Sequence, residues 1–208
     1  MAARYKNKSV AEQHSFDVAW NLLMEPLFDD LRQCLFGSKV ERRRFRQLVV
    51  NCVLATDIFD RELRGMREQR WNEAFNELPK RDDQDIVDRK ATIVLEHVCL
   101  ASDVCHTMQP WSIYTKWSQA LFDEMYSAYL AGRIHRDPTL NWYEGELRFF
   151  DEFVIPIATK LRDCEIFGAS SREFLDCVMY NREEWKNKGR DLVEEMKESF
   201  ETIKKVEI

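Results

Sequence analysis

Residues 95–117 read LEHVCLASDVCHTMQPWSIYTKW, and this stretch decides how the chain folds. Its first part predicts a helix, because side chains leading to Asp103 recur at the three- and four-residue spacing of one helical face. Pro110 pushes Gln109 out of helical geometry and so ends that helix. A second amphipathic helix is predicted to start at Trp111. The residues expected on the buried faces are Val87, Ala91, Val94, Leu95, Val98 and Ser102 in the first helix and Tyr114, Trp117, Leu121 and Met125 in the second.

Asp103 stands at the end of the first apolar face. A carboxylate beside an apolar face requires a partner, which is a charge, a set of hydrogen-bond donors or a metal ion. Considered by itself, an acid at a helix end more commonly faces solvent. The choice between these interpretations depends on the neighbouring motifs.

The composition is that of one helical domain spanning residues 1–208. Hydrophobic residues make up 45% of the chain, which is enough for a sizeable core. Six Gly and five Pro are few enough to favour long helices. The formal net charge of −6 argues against binding to nucleic acid.

The cysteines and the apolar runs bear on the compartment. The six cysteines lack CxxC spacing, so we expect reduced thiols and a cytoplasmic location. The opening residues MAARYKNKSV contain no apolar core of a signal peptide. No run reaches the roughly 18 apolar residues of a membrane span, so no membrane segment is expected.

Periodicity and capping residues predict helices along the rest of the chain, with no convincing strand. Ser9 and Glu12 have the spacing of a capping box, and Pro156 should kink the helix that contains it or open one of its hydrogen bonds. Residues 78–85 are the most polar segment and predict a solvated loop. The predicted helices run from Ser9 to about Met24, Leu27 to Phe36, Val40 to Thr56, Leu63 to Phe75, Trp142 to Leu161, and onward from Ser170 or Ser171.

These motifs, in this order, resemble the catalytic domain of class I 3′,5′-cyclic-nucleotide phosphodiesterases. In that family a helix ending in Ala-x-Asp precedes one beginning Tyr-x-x-Trp, and here Asp103 is followed eleven residues later by Tyr114 and then by Trp117. Leu-Ala-Thr-Asp at 54–57 and Asn-Arg-x-x-Trp at 181–185 are similar to further motifs of the family. The resemblance implies an all-α, multi-helix bundle that hydrolyses cyclic AMP or cyclic GMP to the 5′-monophosphate in signal transduction.

The resemblance also implies a metal site. In the family, two His and two Asp hold the first of two divalent ions, Zn with Mg or Mn, which activate a shared water and grip the phosphate. Asp103 takes the place of one of these ligands. The family's His-Asn-x-x-His and His-Asp-x-x-His motifs, which include the general-acid His, have no counterpart here, since the chain's four histidines are His14, His97, His106 and His135.

Glu12 and His14 match the first two functional positions of the family motif Glu-x-His-His. The resemblance implies that they hydrogen-bond metal-bound waters. The next residue is Ser15, so only part of the motif is present. The alternative is that Glu12 belongs to the capping box and that His14 lies on the helix surface.

Three residues are candidates for binding the nucleotide. Glu146 takes the place of a Gln that reads the purine, three residues before Phe149, which matches a Phe that stacks on the base. An ionised Glu only accepts hydrogen bonds, whereas a Gln amide also donates them. Plain core packing is the alternative for Phe149. His106 takes the place of an Asn that touches the nucleotide in many members.

The resemblance begins at Tyr5 and covers about the C-terminal two-thirds of the family's domain, so we expect an N-terminally incomplete domain. It implies a chain without activity in isolation, and either a missing N-terminal part or a partner that covers exposed core. Two explanations stay open: a fragment of a complete enzyme, or a short relative that binds nucleotides or proteins without catalysis. A purely structural helical domain is a third.

Overall fold

The fold is all-α, as predicted. The computed structural model describes residues 1–77, 84–168 and 170–206, and these ranges contain no strand. The chain divides into two compact units, Met1–Asp103 and Val104–Ile208, each with its own core. The α-helices are α1 (Val10–Leu23), α2 (Asp29–Leu35), α3 (Lys39–Ala55), α4 (Arg61–Asn72), α5 (Gln84–Asp103), α6 (Trp111–Leu130), α7 (Trp142–Phe149), α8 (Ile155–Asp163) and α9 (Ser170–Val206).

The predicted break between the two central helices is confirmed. α5 ends at Asp103, a 3₁₀ turn spans Cys105–Met108, and α6 begins at Trp111, directly after Pro110. Most of the predicted polar loop at 78–85 lies outside the described residues. Its last two residues, 84 and 85, belong to α5, so the helix starts earlier than predicted.

α5 buries a different face from the predicted one. Val87 and Leu95 were expected in the core, but they are 49% and 46% exposed. The buried face instead carries Glu96 and His97. A buried carboxylate is tolerated because Arg70 of α4 donates two hydrogen bonds to it, at 2.8 and 3.0 Å.

The buried face of α6 also differs from the prediction. Tyr114 is fully buried as expected, but Trp117, Leu121 and Met125 face outward. The core side of the helix continues instead through Phe122, whose ring packs edge-on against Trp142 at 5.2 Å. Both sides of α6 are apolar, so periodicity alone does not distinguish them.

The start of α1 is confirmed, but the predicted capping box is wrong. Ser9 has a left-handed backbone with φ of 39° and makes no capping hydrogen bond. Its hydroxyl donates instead to the Asp57 carboxylate at 2.7 Å. Burial alone would raise the pKa of Asp57, but hydrogen bonds from Ser9 and from the Phe59 and Asp60 amides outweigh it and hold the pKa below its usual range.

Pro156 acts as predicted. α7 ends at Phe149, a wider π-type turn spans Phe150–Val154, and Pro156 lies in the first turn of α8. Because proline has no N–H to donate, the helix cannot keep its ordinary ladder of hydrogen bonds through this point. The wider turn absorbs the mismatch without interrupting the helical path.

Gly189 marks the closest packing on α9. A Cβ atom at this position would lie 2.9 Å from both the Trp185 and the Tyr143 rings, which is closer than real Cβ atoms approach other atoms. We therefore expect Gly189→Ala to lower the free energy of unfolding by about 1–3 kcal/mol through overpacking. Urea denaturation measures the change.

Gly65 provides the matched control. It lies inside α4, and a Cβ there meets nothing within 4 Å. Gly65→Ala should therefore raise the free energy of unfolding by about 0.5–1 kcal/mol, the usual gain from helix propensity. Equal gains in stability from the two substitutions would contradict close packing around Gly189.

Candidate functional site

Tyr114 and Glu146 form the centre of the candidate site in the second unit. The phenolic O–H of Tyr114 donates to Glu146 Oε2 at 2.5 Å, joining the first turn of α6 to α7. The Tyr114 ring is held edge-on by Phe150 at 5.3 Å and by Trp185 at 5.9 Å. The Glu146 carboxyl is thus fixed by a side chain that cannot itself move freely.

The surroundings of this carboxyl favour its neutral form. Burial raises the pKa of Glu146, and the hydrogen bond from Tyr114, which acts in the opposite direction, does not cancel the effect. Burial raises the pKa of Tyr114 as well, and the negative charge that Glu146 carries when ionised adds to this effect. A neutral carboxyl both donates and accepts hydrogen bonds, as an amide does. An un-ionised Glu146 would therefore donate as well as accept, unlike the ionised Glu expected from the sequence.

The raised pKa of Glu146 implies a pH dependence of stability. Above the ordinary pKa of a Glu, the unfolded chain ionises while the folded state keeps its proton, so the folded state binds more protons. The free energy of unfolding should therefore fall as pH rises from about 4.3 through the folded pKa. We expect Glu146→Gln to remove this part of the dependence.

Urea titrations of the parent protein and the Gln variant at several pH values between about 4 and 8 measure the effect. The difference between the two curves should grow with pH, in favour of the variant. A constant difference would contradict a raised pKa. Glu144→Gln, two residues away on the same helix and paired with Arg190 at 3.1 Å, is the control.

Phe149 lies three residues after Glu146 at the end of α7. Its ring is half-buried and packs against Phe153 at 5.8 Å, whereas its neighbour Phe150 is completely buried. Phe149 is thus partly accessible. This exposure is compatible with stacking on a base and equally with packing at the edge of the core. Its role in stacking on a base stays a prediction.

His106 lies in the 3₁₀ turn between the two central helices. Its ring is half-buried, 6.2 Å from the Trp117 ring. The turn is held by Asn181 of α9, whose amide donates to the Thr107 carbonyl at 3.0 Å and to the Gln109 carbonyl at 2.7 Å. Asn181 belongs to the Asn-Arg-x-x-Trp motif, but its contact with this turn joins residues more than 70 positions apart and leaves no periodic signal in the sequence.

The three residues predicted at the metal site lie in the first unit. Asp103 is exposed at the C-terminal end of α5. Glu12 and His14 are half-buried near the start of α1, and the His14 ring lies 6.4 Å from Tyr5. Within 1–77, 84–168 and 170–206, no three His, Cys, Asp or Glu side chains come together in a group that could hold a metal ion. The described residues therefore do not fit the two-metal site that the resemblance implies.

Two further observations bear on the kind of protein. None of the helices in the described part of the chain is long and apolar enough to cross a membrane. All six cysteines are free thiols.

Comparison with protein families and curated relatives gives consistent matches. Residues 1–165 match the family model of 3′,5′-cyclic nucleotide phosphodiesterases. A cGMP-specific 3′,5′-cGMP phosphodiesterase 3 of Dictyostelium discoideum is 21% identical over 197 residues, covering 91% of this chain and 40% of the relative. A probable 3′,5′-cyclic-AMP phosphodiesterase of Caenorhabditis elegans is 28% identical over 129 residues, covering 60% and 18%. The chain thus spans less than half the length of either relative.

Solved structures agree on the fold. The phosphodiesterase domain of a RhoPDE fusion protein from the choanoflagellate Salpingoeca rosetta superposes with a TM-score of 0.67 at 20% identity, covering 95% of this chain and 61% of that one. LmjPDEB1 in complex with IBMX gives a TM-score of 0.63 at 21% identity, covering 89% and 55%. The predicted all-α architecture of this catalytic domain is therefore confirmed.

Proposed function

Since the chain belongs to the 3′,5′-cyclic nucleotide phosphodiesterase family, we propose that it recognises a cyclic nucleotide, cyclic AMP or cyclic GMP, through Glu146, Phe149 and His106. The reaction to which this recognition belongs is the hydrolysis of the nucleotide to its 5′-monophosphate. The chain covers only part of the relatives that it matches, so both the ligand and the reaction are proposals for this protein.

The hydrogen bond from Tyr114 to Glu146 carries this proposal. It occupies one lone pair of Oε2 and does not involve Oε1. A neutral carboxyl with a free O–H and a free lone pair can meet either purine, because adenine and guanine each present a donor next to an acceptor on the Watson–Crick edge. Phe149, three residues away on the same helix, would stack on the base.

The metal-dependent step is a separate question. The family is metal-dependent, and we propose Asp103 as a direct ligand, with Glu12 and His14 acting through metal-bound waters, in a site for Zn with Mg or Mn. The described residues do not supply the remaining ligands. We therefore propose that the 208-residue chain binds nucleotide without hydrolysing it. Its free thiols support a cytoplasmic location.

Isothermal titration calorimetry with cyclic AMP and cyclic GMP tests the recognition. Glu146→Gln should preserve binding, because an amide keeps one donor and one acceptor. Glu146→Leu should abolish it, and Phe149→Ala should weaken it by about tenfold, as expected for the loss of base stacking. Glu144→Gln on the same helix is the control and should bind like the parent.

Binding of neither nucleotide at millimolar concentration would contradict the proposal, as would binding that Glu146→Leu leaves unchanged. The second candidate function is a protein-binding module without nucleotide. The exposed apolar side of α6 favours it, since patches of this kind mark sites of protein contact.

A further inference from the structure

Helices α3 and α5 pack against each other within the first unit, and each carries one cysteine on the side that faces the other helix. The Arg44 guanidinium on α3 lies 3.2 Å from the Asp88 carboxylate on α5. Cys52 follows Arg44 by eight residues, and Cys99 follows Asp88 by eleven. These intervals are about two and three helical turns, so each cysteine returns to the side of its helix that carries the ion pair.

The two thiols are in direct contact. Cys52 and Cys99 form a side-chain hydrogen bond with each other, and both residues are half-buried. The Glu96 carboxylate, one turn before Cys99 on α5, also lies near Cys52 and is itself held by Arg70 of α4. The thiol pair therefore lies at the edge of the surface between α3 and α5, where it is partly accessible to solvent and its surroundings are fixed.

We propose that Cys52 and Cys99 form a reversible intramolecular disulfide when the protein meets a peroxide. Hydrogen peroxide is small enough to reach half-buried thiols, and two thiols in contact on neighbouring helices meet the need of a disulfide for close approach. Such a bond is compatible with the cytoplasmic location proposed above, because disulfides in reducing compartments are usually transient and sense the redox state.

The first step falls to Cys99. Burial and the hydrogen bond with Cys99 raise the pKa of the Cys52 thiol to about 12. Cys52 therefore keeps its proton at neutral pH and does not supply the attacking thiolate. The Cys99 sulfur attacks one oxygen of the peroxide, the O–O bond breaks, and the other oxygen leaves as water. Cys99 is then a sulfenic acid.

The second step closes the disulfide. The Cys52 sulfur attacks the Cys99 sulfur and displaces the sulfenic hydroxyl, which takes up the Cys52 proton and leaves as water. One S–S bond is formed and one S–O bond is broken. In the two steps together, two thiols are oxidised to a disulfide and one peroxide is reduced to two waters.

The bond would connect α3 and α5 near their C-terminal ends. Cys52 precedes Asp57 by five residues, and Cys99 precedes Asp103 by four. Oxidation would thus restrict the movement of these two helix ends relative to each other. It would also enclose residues 53–98 in a covalent loop, which lowers the entropy of the unfolded chain. This inference goes beyond the proposed function and does not depend on it, since neither cysteine is assigned to nucleotide recognition.

Peptide mapping of the peroxide-treated parent chain tests the proposal. The protein is incubated with hydrogen peroxide at neutral pH, the remaining thiols are blocked with N-ethylmaleimide, and the chain is digested without reduction. We expect a linked species that contains Cys52 and Cys99 and that disappears on treatment with dithiothreitol. The oxidised chain should also unfold at a urea concentration higher by about 1 M, because the bond restricts the unfolded state.

Single variants test the order of the two steps. Cys52→Ser leaves Cys99 without its partner, so the sulfenic acid at Cys99 should persist and react with dimedone. Cys99→Ser leaves Cys52 buried, so dimedone labelling of Cys52 should be about tenfold lower or less. Cys34→Ser, which removes an exposed thiol of α2, is the control and should form the Cys52–Cys99 link as the parent does.

Three outcomes would overturn the proposal. They are a treated parent chain without the Cys52–Cys99 peptide, a link between other cysteines in equal yield, and an oxidised chain whose urea midpoint is unchanged. All three are measured on the parent chain, so a variant that fails to fold does not affect them. Equal dimedone labelling of the two single variants would contradict the order of attack.

Discussion

Replacing Arg70 with methionine should lower the free energy of unfolding by about 3–5 kcal/mol, the usual cost of leaving one charge of a buried pair without its partner. The Glu96 side chain is only 5% exposed, and its two hydrogen bonds to Arg70 hold α4 against α5. Without the guanidinium, the carboxylate must stay buried and unpaired or take up a proton. Urea denaturation near neutral pH measures the loss.

Two further variants separate the cost of leaving Glu96 unpaired from the effect of simply removing a positive charge. The double variant Arg70→Met/Glu96→Leu removes both charges and should recover much of the stability, since apolar replacements of buried pairs are often neutral. Arg44→Met breaks the exposed pair with Asp88, 3.2 Å long, and should change stability by at most about 1 kcal/mol. A double variant no more stable than Arg70→Met would contradict the explanation.

Asn181→Ala should lower the free energy of unfolding by about 2–4 kcal/mol. The side chain is completely buried, and its removal leaves the carbonyls of Thr107 and Gln109 without these donors. Each unsatisfied buried group costs about 1–3 kcal/mol. Amide hydrogen exchange should also speed up in the turn from Cys105 to Met108, which carries His106.

Asn187→Ala is the matched control for this substitution. Asn187 lies on the same helix, α9, but is exposed. Alanine has the higher helix propensity. This variant should therefore be at least as stable as the parent, with a gain of about 0.5 kcal/mol at most. Unchanged hydrogen exchange in the turn of Asn181→Ala would contradict the role assigned to Asn181.

The order of the helices followed from local signals in the sequence. Pro110 accounts for the extended backbone at Gln109 and for the start of α6 at Trp111, because its effect on the residue before it does not depend on the rest of the fold. Pro156 similarly predicts a disturbed helix, and the π-type turn follows from its missing N–H.

The buried faces depended on contacts distant in sequence and could not be predicted in the same way. Glu96 is buried only because Arg70, 26 residues earlier, reaches its carboxylate. The pKa of Glu146 likewise depends on burial within the folded chain and on the opposing hydrogen bond from Tyr114, 32 residues away. Hydrophobic periodicity carries no information on such pairs, and α6 is apolar on both sides.

The candidate site was predicted unevenly for a related reason. The motifs place Glu146 and Phe149 three residues apart on one helix, which local structure guarantees. The metal ligands of a two-metal site must instead converge from several elements, and Asp103 by itself does not indicate whether they do. A motif thus identifies a position in the fold more securely than it identifies a working centre.

Hydrolysis of cyclic nucleotide by the purified 208-residue chain is the most direct measure of whether the chain turns this ligand over. The chain is incubated with cyclic AMP or cyclic GMP and with Mg, Mn and Zn ions, and the 5′-monophosphate is quantified. We predict no product above that of the same metals in buffer. Metal-dependent turnover that disappears in Asp103→Ala would contradict the account.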